Sequence, residues 1–562
     1  MVNRIITFLN KEFRGVNEAA LLLGGFAFLS QILGLVRDRM LAHIVGAGPM
    51  LDIYYAAFRI PDFLYISIAS LASVTVLMPF LVEKINNNNN TPEKAREFMN
   101  NIFSAYMLFM AVASILIIIF MPYIVHLIAP GFDKSQIALL ITTSRIMLLS
   151  PIFIGLSNLI GTVTQLFRNF LIFSLSPIFY NVGILFGVIF LYHKMGVYGL
   201  AVGVIIGAVM HFLVQVPVVI KHKFFPRFSF KIKWHEIFQV VKLSAPRTLT
   251  LSCNSIAFIF LIAMASTLKS GSISLFTFSY NLQSVPVGII GISYAVAAFP
   301  ILVKSFSMKD MDNFIGQIIL AARQIVFWSL PVITLLVVLR AQIVRVILGS
   351  STFTWSDTRL TAASVALFSI SLATQGLVLL FVRGYYAAGN TKKPLFINVF
   401  SSVMVIVFAQ ILIYVFGNYP NVLSQLESIL RVKDVPDTIM LSLPLAYAMG
   451  SILNFFLIWT MFKKDFLYSN KINLSKTFIQ SAVSAVVMGL VAYLSLGFFD
   501  SVFDINTGRG IFFQGFISGI LGIISGVIIL TILKNKEFFD LIKALKNKFW
   551  RNRVVVPEQG EL

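Results

Sequence analysis

Between Gln31 and Asp62 the chain carries polar and ionisable side chains inside segments otherwise built of Leu, Ile, Val, Phe and Ala. Arg37-Asp38-Arg39 comes first, then Gly46-Ala47-Gly48 with Asp52 four positions on, then Arg59-Ile60-Pro61-Asp62. A charge at the centre of a bilayer costs roughly 2.5–3.5 kcal/mol on an insertion scale. Such groups persist only where they face water, a partner charge or a polar ligand. Two readings follow: Arg–Asp pairs that knit two helices together, or the charged wall of a central cavity. The second fits the spacing better.

Asp52, Tyr55, Arg59 and Asp62 follow one another by three, four and three positions, which places them on one stripe of a helix. The intervening Ile53, Ala57, Ile60 and Leu64 are suited to lipid or to neighbouring helices. Pro61 removes a backbone donor, so a kink beside Arg59 is expected, with local carbonyls opened to the cavity.

The rest of the chain sets these residues in a membrane. Of 562 residues, 58% are hydrophobic and only 12% charged, and the mean hydropathy is +0.88. This is the balance of an all-α polytopic membrane protein. The net charge of +21 then points to cytoplasmic loops and anionic membrane lipids, not to nucleic acid. Cys253 is the one cysteine, so no internal disulfide is possible. The N-terminus lacks a short apolar core with a small-residue cleavage site, so no cleaved signal peptide is expected.

Apolar runs give about fourteen spans. The first two end near His43 and Phe80, before a polar linker containing Asn86 to Asn90 that reads as a solvated loop. Spans three to six cover 98–127, 136–167, 170–192 and 198–220. After a basic loop with Lys221, Lys223, Arg227, Lys231 and Lys233, spans seven to twelve cover 238–267, 272–303, 314–338, 359–387, 394–417 and 439–462. Two more lie near 476–499 and 510–533, before a basic amphipathic tail. Lys and Arg concentrate in the loops that this map places inside, with both termini cytoplasmic. Arg340 and Arg345 fit it worst and are expected to snorkel outward.

An internal repeat is visible. Pro177-Ile178-Phe179-Tyr180-Asn181-Val182 matches Pro394-Leu395-Phe396-Ile397-Asn398-Val399 at an offset of 217, and Pro79-Phe80-Leu81-Val82 matches Pro300-Ile301-Leu302-Val303 at 221. Together they indicate a six-helix unit of about 220 residues used twice in one orientation, an arrangement that sets a substrate site between the halves. The domains expected are 1–235, 236–465 and 466–562.

Enzyme signatures are missing. No His or Cys cluster has metal spacing, no Gly-rich loop ends in Lys-Ser/Thr, and no nucleophile elbow occurs. His43, His193, His211 and His222 are scattered. No metal, no cofactor and no catalytic role are expected.

Three motifs resemble the MurJ (MviN) family of lipid II flippases, in the multidrug/oligosaccharidyl-lipid/polysaccharide exporter superfamily. They are Leu33-Gly34-Leu35-Val36-Arg37-Asp38 with Gly46-Ala47-Gly48, Asp52 and Ala57-Phe58-Arg59-Ile60-Pro61; Arg383-Gly384-Tyr385-Tyr386-Ala387-Ala388-Gly389-Asn390-Thr391-Lys392-Lys393-Pro394; and Ala129-Pro130-Gly131-Phe132. The resemblance implies two six-helix lobes in a V, plus two C-terminal helices whose groove takes a lipid tail. It implies flipping of undecaprenyl-diphosphate-linked muropeptide (lipid II) from the inner to the outer leaflet of the bacterial cytoplasmic membrane, by alternating access, for cell-wall synthesis. Cell-wall synthesis proteins are partners it would suit.

Carried over by position, Arg37 and Arg59 would contact the diphosphate or sugar, and two guanidiniums can grip a diphosphate bidentately. Asp52 would hold the cavity's hydrogen-bond network or gate. Asp38, Gln31, Tyr55, Asp62 and Asn281, with Arg145 and Arg247, complete the expected substrate site, while Gly46, Gly48, Pro61, Arg383, Asn390 and Pro394 would serve structure or gating. The chain departs from the family at Gln31 and Asn281, where the family commonly has arginine, and at Ser70-Leu71-Ala72, where it has Glu-Gly-Ala. Asn254, Asn398 and Ser402 stand where some members place acidic sodium ligands. Arg145 and Arg247 could restore lost cavity charge, or anchor helices at the interface. Another polyprenyl-diphosphate-linked saccharide, or a membrane scaffold that has lost transport, are the alternatives. A cation-coupled drug exporter would want an acidic cavity in place of this basic stripe. A membrane glycosyltransferase would need a catalytic carboxylate on a sizeable outer loop.

Overall fold

The structure is a computed structural model that describes residues 16–68, 74–86, 92–466, 475–504 and 507–550. Among these residues every regular element is helical. Lipid offers no partner to a backbone N–H or C=O, so an apolar run can cross only by satisfying those groups within itself.

The chain opens with α1 (Val16–Ile44), α2 (Pro49–Ala57), α3 (Arg59–Ile68) and α4 (Val74–Asn86). Then come α5 (Glu93–Ile128), α6 (Lys134–Met147), α7 (Leu149–Leu166), α8 (Phe170–Phe186) and α9 (Val197–Leu213). α10 (Trp234–Ser266), α11 (Ser272–Pro286), α12 (Ser293–Ser307), α13 (Met311–Val338) and α14 (Arg340–Leu348) follow. α15 (Trp355–Ser369) and α16 (Leu372–Ala387) precede α17 (Lys392–Asn418) and the surface helix α18 (Pro420–Leu430). α19 (Ser442–Phe466), α20 (Ser475–Asp500), α21 (Gly508–Ile532) and α22 (Lys536–Trp550) end it.

Polar caps start several helices. Asp133 accepts from Gln136 N while Gln136 Oε1 accepts from Asp133 N, a reciprocal cap on α6. Asp310 and Thr507 cap α13 and α21 in the simpler way.

Among the described residues, eleven helices are long and apolar enough to cross a membrane, or twelve when the pair α15 and α16, bent by 43°, is one span. These match the expected spans three to fourteen. α1 and the broken pair α2 and α3 are outside that count; they carry Arg37, Asp38, Arg39, Asp52, Arg59 and Asp62. A total of fourteen therefore does not follow from length and apolarity alone. The expected loop at Asn86–Asn90 and the N-terminal segment fall mainly outside the described residues.

Two compact units are present. The first comprises residues 1–285, 344–368 and 390–454, and the second 286–343, 369–389 and 455–562. In the first, α8 and α9 touch backbone to backbone. A Cβ on Gly183 would stand 2.2 Å from Gly207 Cα, and one on Gly207 would stand 2.4 Å from Tyr180 O. Small residues of this kind let membrane helices gain dispersion contact that apolar side chains could not add against lipid. A π-turn at Gly187–Leu191 ends α8, and a second at Val287–Ile292 joins α11 to α12 just after Pro286. The second unit repeats the device, with Gly489 against Thr334, Gly515 against Gln342 and Gly526 against Met488. Its aromatic core includes Phe381, Tyr385, Phe462 and Phe466, and Tyr385 donates to Asp465 at 2.8 Å.

Gly207→Val should force α8 and α9 apart, at a cost of about 1–3 kcal/mol or more. A thermal melt in detergent is expected to move down by several degrees; an unchanged melt would contradict this packing.

Candidate functional site

α1 brings Arg37 and Asp38 to the centre of a polar cluster. Arg37 Nε and Nη2 both donate to Asp38 Oδ1, at 3.0 and 2.9 Å. Asp38 is only 3% exposed, and its second oxygen accepts from Asn281 Nδ2 on α11 at 2.9 Å. Arg37 Nη1 reaches Asn181 Oδ1 on α8 at 3.5 Å, and Asn181 Nδ2 donates to Pro177 O at 3.0 Å. Three helices thus share one ion pair. A buried carboxylate left alone would be very costly, and here the guanidinium and an amide both satisfy it.

Arg59 is held differently. The helix breaks at Phe58, one residue before Arg59 and three before Pro61, which has no N–H to give the Ala57 carbonyl. Arg59 Nε donates to Tyr55 O at 3.1 Å, and the guanidinium lies 4.8 Å from the Phe258 ring centroid on α10. A cation over an aromatic face keeps its charge without a carboxylate partner. Arg59 is half-buried, and among the described residues its terminal nitrogens make no hydrogen bond. Asp62 is half-buried, and among the described residues its carboxylate makes no hydrogen bond or ion pair.

Tyr55 packs its ring edge-on against Phe278 at 5.8 Å, with its hydroxyl buried and unpartnered. Asp52, Tyr55 and Arg59 therefore all face α10 and α11, as one stripe would.

Asp52 has a further job. Its Oδ2 accepts from Gly271 N at 2.6 Å; its Oδ1 accepts from Ser274 N at 2.8 Å and Ser274 Oγ at 2.5 Å. The first N–H groups of any helix lack internal partners, and α11 borrows this carboxylate from α2 as its cap. Gly271 adopts φ +95°, and Gly46, between α1 and α2, adopts φ +80°. A Cβ on Gly46 would also press to 3.0 Å from Thr352 O. Gly48 is extended and has open space around it, so neither constraint applies there.

The loop between α14 and α15 completes this edge. Thr352 Oγ1 lies 2.9 Å from Ala42 O and 2.6 Å from His43 O, and Ser350 Oγ donates to Ala42 O at 3.3 Å. Arg39 caps the C-terminal carbonyls of α14, Val346 O and Ile347 O, and so stands apart from Arg37. Arg345 donates to Phe353 O at 3.1 Å. Among nearby surface pairs, Lys269 meets Asp437 at 2.5 Å. The Arg359 guanidinium grips Asp434 with two nitrogens and holds its carboxyl below the usual aspartate range.

Other candidates lie elsewhere. Gln31 is half-buried on α1 with its Oε1 unpartnered. Arg145 is exposed and donates to Ile118 O of α5 at 3.1 Å, so the structure does not bring it to Arg37 or Arg59. The Arg247 side chain and Ser70-Leu71-Ala72 lie outside the described residues. Arg383 is half-buried on α16. Asn390 Oδ1 accepts from Lys393 N at 3.3 Å, and Pro394 is buried in the first turn of α17. Asn398 pairs with Asn454, whose Nδ2 donates to it at 2.8 Å. Asn181, Phe258 and Ser274 were missed as site residues. Only Asn181 carried a signal, as the polar member of the Pro177 repeat motif.

Asp52→Ala leaves two buried N–H groups and a hydroxyl without an acceptor, each worth about 1–3 kcal/mol. The melting temperature should fall clearly, and Asp52→Asn should recover part of the loss. An Ala variant as stable as the parent would overturn this assignment.

The comparisons with known proteins agree with one another. The family model described as "Lipid II flippase MurJ" matches residues 41–513. A "Probable lipid II flippase MurJ" of Buchnera aphidicola subsp. Baizongia pistaciae is 27% identical over 474 residues, 83% of this chain and 87% of that protein. The "Lipid II flippase MurJ" of Burkholderia cenocepacia is 25% identical over 490 residues, 86% and 90% of the two. In fold, the chain resembles a solved structure described as "Lipid II flippase MurJ, inward closed conformation", with TM-score 0.71 and 23% identity over 93% of this chain and 100% of the other. An inward-facing multidrug resistance MATE transporter of the MOP superfamily shares the architecture at TM-score 0.60 and 16% identity, over 78% and 96% of the chains. This multi-pass membrane protein belongs to the MurJ family of lipid II flippases.

Proposed function

We propose that the protein flips lipid II from the inner to the outer leaflet of the bacterial cytoplasmic membrane by alternating access, supplying cell-wall synthesis. It acts as a transporter and catalyses no bond-making step. Both termini are cytoplasmic, the repeat halves 1–235 and 236–465 move as lobes, and residues 466–562 add the tail-binding pair. Lipid II, anionic membrane lipids and cell-wall synthesis proteins are its partners.

One observation carries the cargo assignment. Among the described residues, half-buried Arg59 has no hydrogen bond to its terminal nitrogens while an aromatic face supports its charge. A diphosphate can take those donors without first displacing a carboxylate. Arg37 still has unused N–H groups beside its bond to Asp38, and it becomes the second grip. Asp38 balances Arg37 and the Phe258 ring supports Arg59; a bound diphosphate neutralises both guanidiniums, which lowers the cost of moving charge through the closed state. The Asp52 cap and the Thr352 contacts tie the ends of α1 and α2 to α11 and the 349–354 loop, and their release accompanies opening on the outer side.

Asn281 favours a second reading of the headgroup. An amide stands where the family commonly has arginine, and it donates to Asp38. One cation fewer at the site suits another polyprenyl-diphosphate-linked saccharide.

Arg37→Ala and Arg59→Ala should each lose about 1.5–3 kcal/mol of charge-assisted binding, a tenfold or greater loss of affinity. Neither variant should support growth of a strain depleted of its lipid II flippase when both are present at parental levels. Full growth with both variants would refute the assigned roles.

A further inference from the structure

Between the short helix Val216–Lys221 and α10, residues 222–233 form an ordered strap without helix. Polar side chains of α5 hold its backbone: Asn100 Oδ1 accepts from Arg227 N at 2.7 Å, Ser104 Oγ from Ser229 N at 2.8 Å, and Asn101 Oδ1 from Lys233 N at 2.8 Å. Asn101 Nδ2 also donates to Lys233 O and Glu236 Oε2, and Glu236 accepts from Lys84. Phe224 is the inward anchor, 2% exposed and beside the Phe167 ring at 5.4 Å.

With its backbone fixed in this way, the strap and the first residue of α10 expose four aromatic side chains, while His222 stacks on Phe167 at 3.8 Å. Phe225, Phe228, Phe230 and Trp234 are 46%, 49%, 92% and 55% exposed. Lys221, Lys223, Arg227 and Lys231 alternate with them, all exposed. Among the described residues no carboxylate pairs with these four cations, whereas Lys233 meets Glu97 at 2.5 Å. Four aromatic side chains displayed on a loop in water would be an unsupported apolar patch. Here the patch has a neighbour: Trp234 packs against Phe109 of α5 at 6.0 Å, and Phe109 begins the exposed row Phe109, Val112 and Ile115. In a membrane protein such a row is covered by acyl chains. Beside such a row the strap would sit where the lipid-facing surface of α5 gives way to the headgroup layer, the level at which Trp and other aromatic rings collect.

We infer that residues 221–234 are a binding site for anionic phospholipid headgroups, with Phe225, Phe228, Phe230 and Trp234 dipping into the interface and Lys221, Lys223, Arg227 and Lys231 meeting phosphates. Free cations beside interfacial aromatics match negative lipid, and zwitterionic lipid would leave them uncompensated. The inference rests on the membrane placement of the chain and is independent of which cargo it carries. Seated against the first residues of α10, the site would let the lipid composition of that leaflet hold this helix in place.

Full-length protein reconstituted in phosphatidylcholine vesicles, with a minor share of phosphatidylglycerol or phosphatidylcholine bearing brominated acyl chains, tests it. The fluorescence lost on changing Trp234→Phe isolates the Trp234 signal. Brominated phosphatidylglycerol should quench that signal roughly twofold more than brominated phosphatidylcholine, and high salt should remove the difference by screening. The triple variant Lys223→Gln, Arg227→Gln, Lys231→Gln should also remove it while the protein stays folded; the salt series needs no substitution. Equal quenching by the two lipids at low salt would overturn the preference for anionic headgroups. Absence of quenching by either would mean that water or another protein covers the strap.

Discussion

A charge within an apolar helix bundle survives only when something balances it, and in this protein the balance is struck between Arg37 and Asp38. Adjacent on one helix, they close on each other, then extend to Asn281 and Asn181 on two others. That cluster fixes where α1, α8 and α11 meet. It also makes the site's charge conditional. Arg37 is bonded to a carboxylate, whereas Arg59 is propped on Phe258. In the proposed capture of an anionic lipid, Arg37 would share its carboxylate and Arg59 would not have to give one up, a better starting point than two bare cations in oil.

The same logic of borrowed partners runs along the nearby edge. α11 takes Asp52 of α2 as an acceptor for its first N–H groups; α1 ends with carbonyls that Ser350 and Thr352 reach. Each tie joins segments distant in the chain, through hydrogen bonds that can be exchanged for water. An apolar seam would stick more firmly and release less readily. Gly46 and Gly271 are needed because both turns require a left-handed backbone where another segment passes close by.

Much of this was legible in the sequence. Runs of apolar residues delimit the helices because lipid leaves the backbone no other choice, and the three-four-three spacing of Asp52, Tyr55, Arg59 and Asp62 put the first three toward α10 and α11. The break at Phe58 followed from Pro61. What could not be read was which distant groups would meet. Asp52 serving as a cap depends on the turn before Ser272, and Arg59 resting on Phe258 depends on how α3 crosses α10; neither leaves a trace in local spacing. Arg145 reads as spare cavity charge or as an interfacial anchor, because sequence gives a helix position without giving the neighbouring helix; in the structure it binds a carbonyl of α5. Arg39, two positions from Arg37, likewise departs to another helix end, since residues two apart face different ways on a helix.

The central claim is that an anionic lipid visits Arg37 and Arg59. Native mass spectrometry of the protein purified in mild detergent from its own membrane addresses it directly. The account predicts an adduct whose mass is that of a polyprenyl-diphosphate-linked saccharide, retained by the parent and lost from a folded double variant Arg37→Ala, Arg59→Ala. An adduct that persists unchanged in that variant, or a parent that takes up no such lipid even when it is added in excess, would contradict the account.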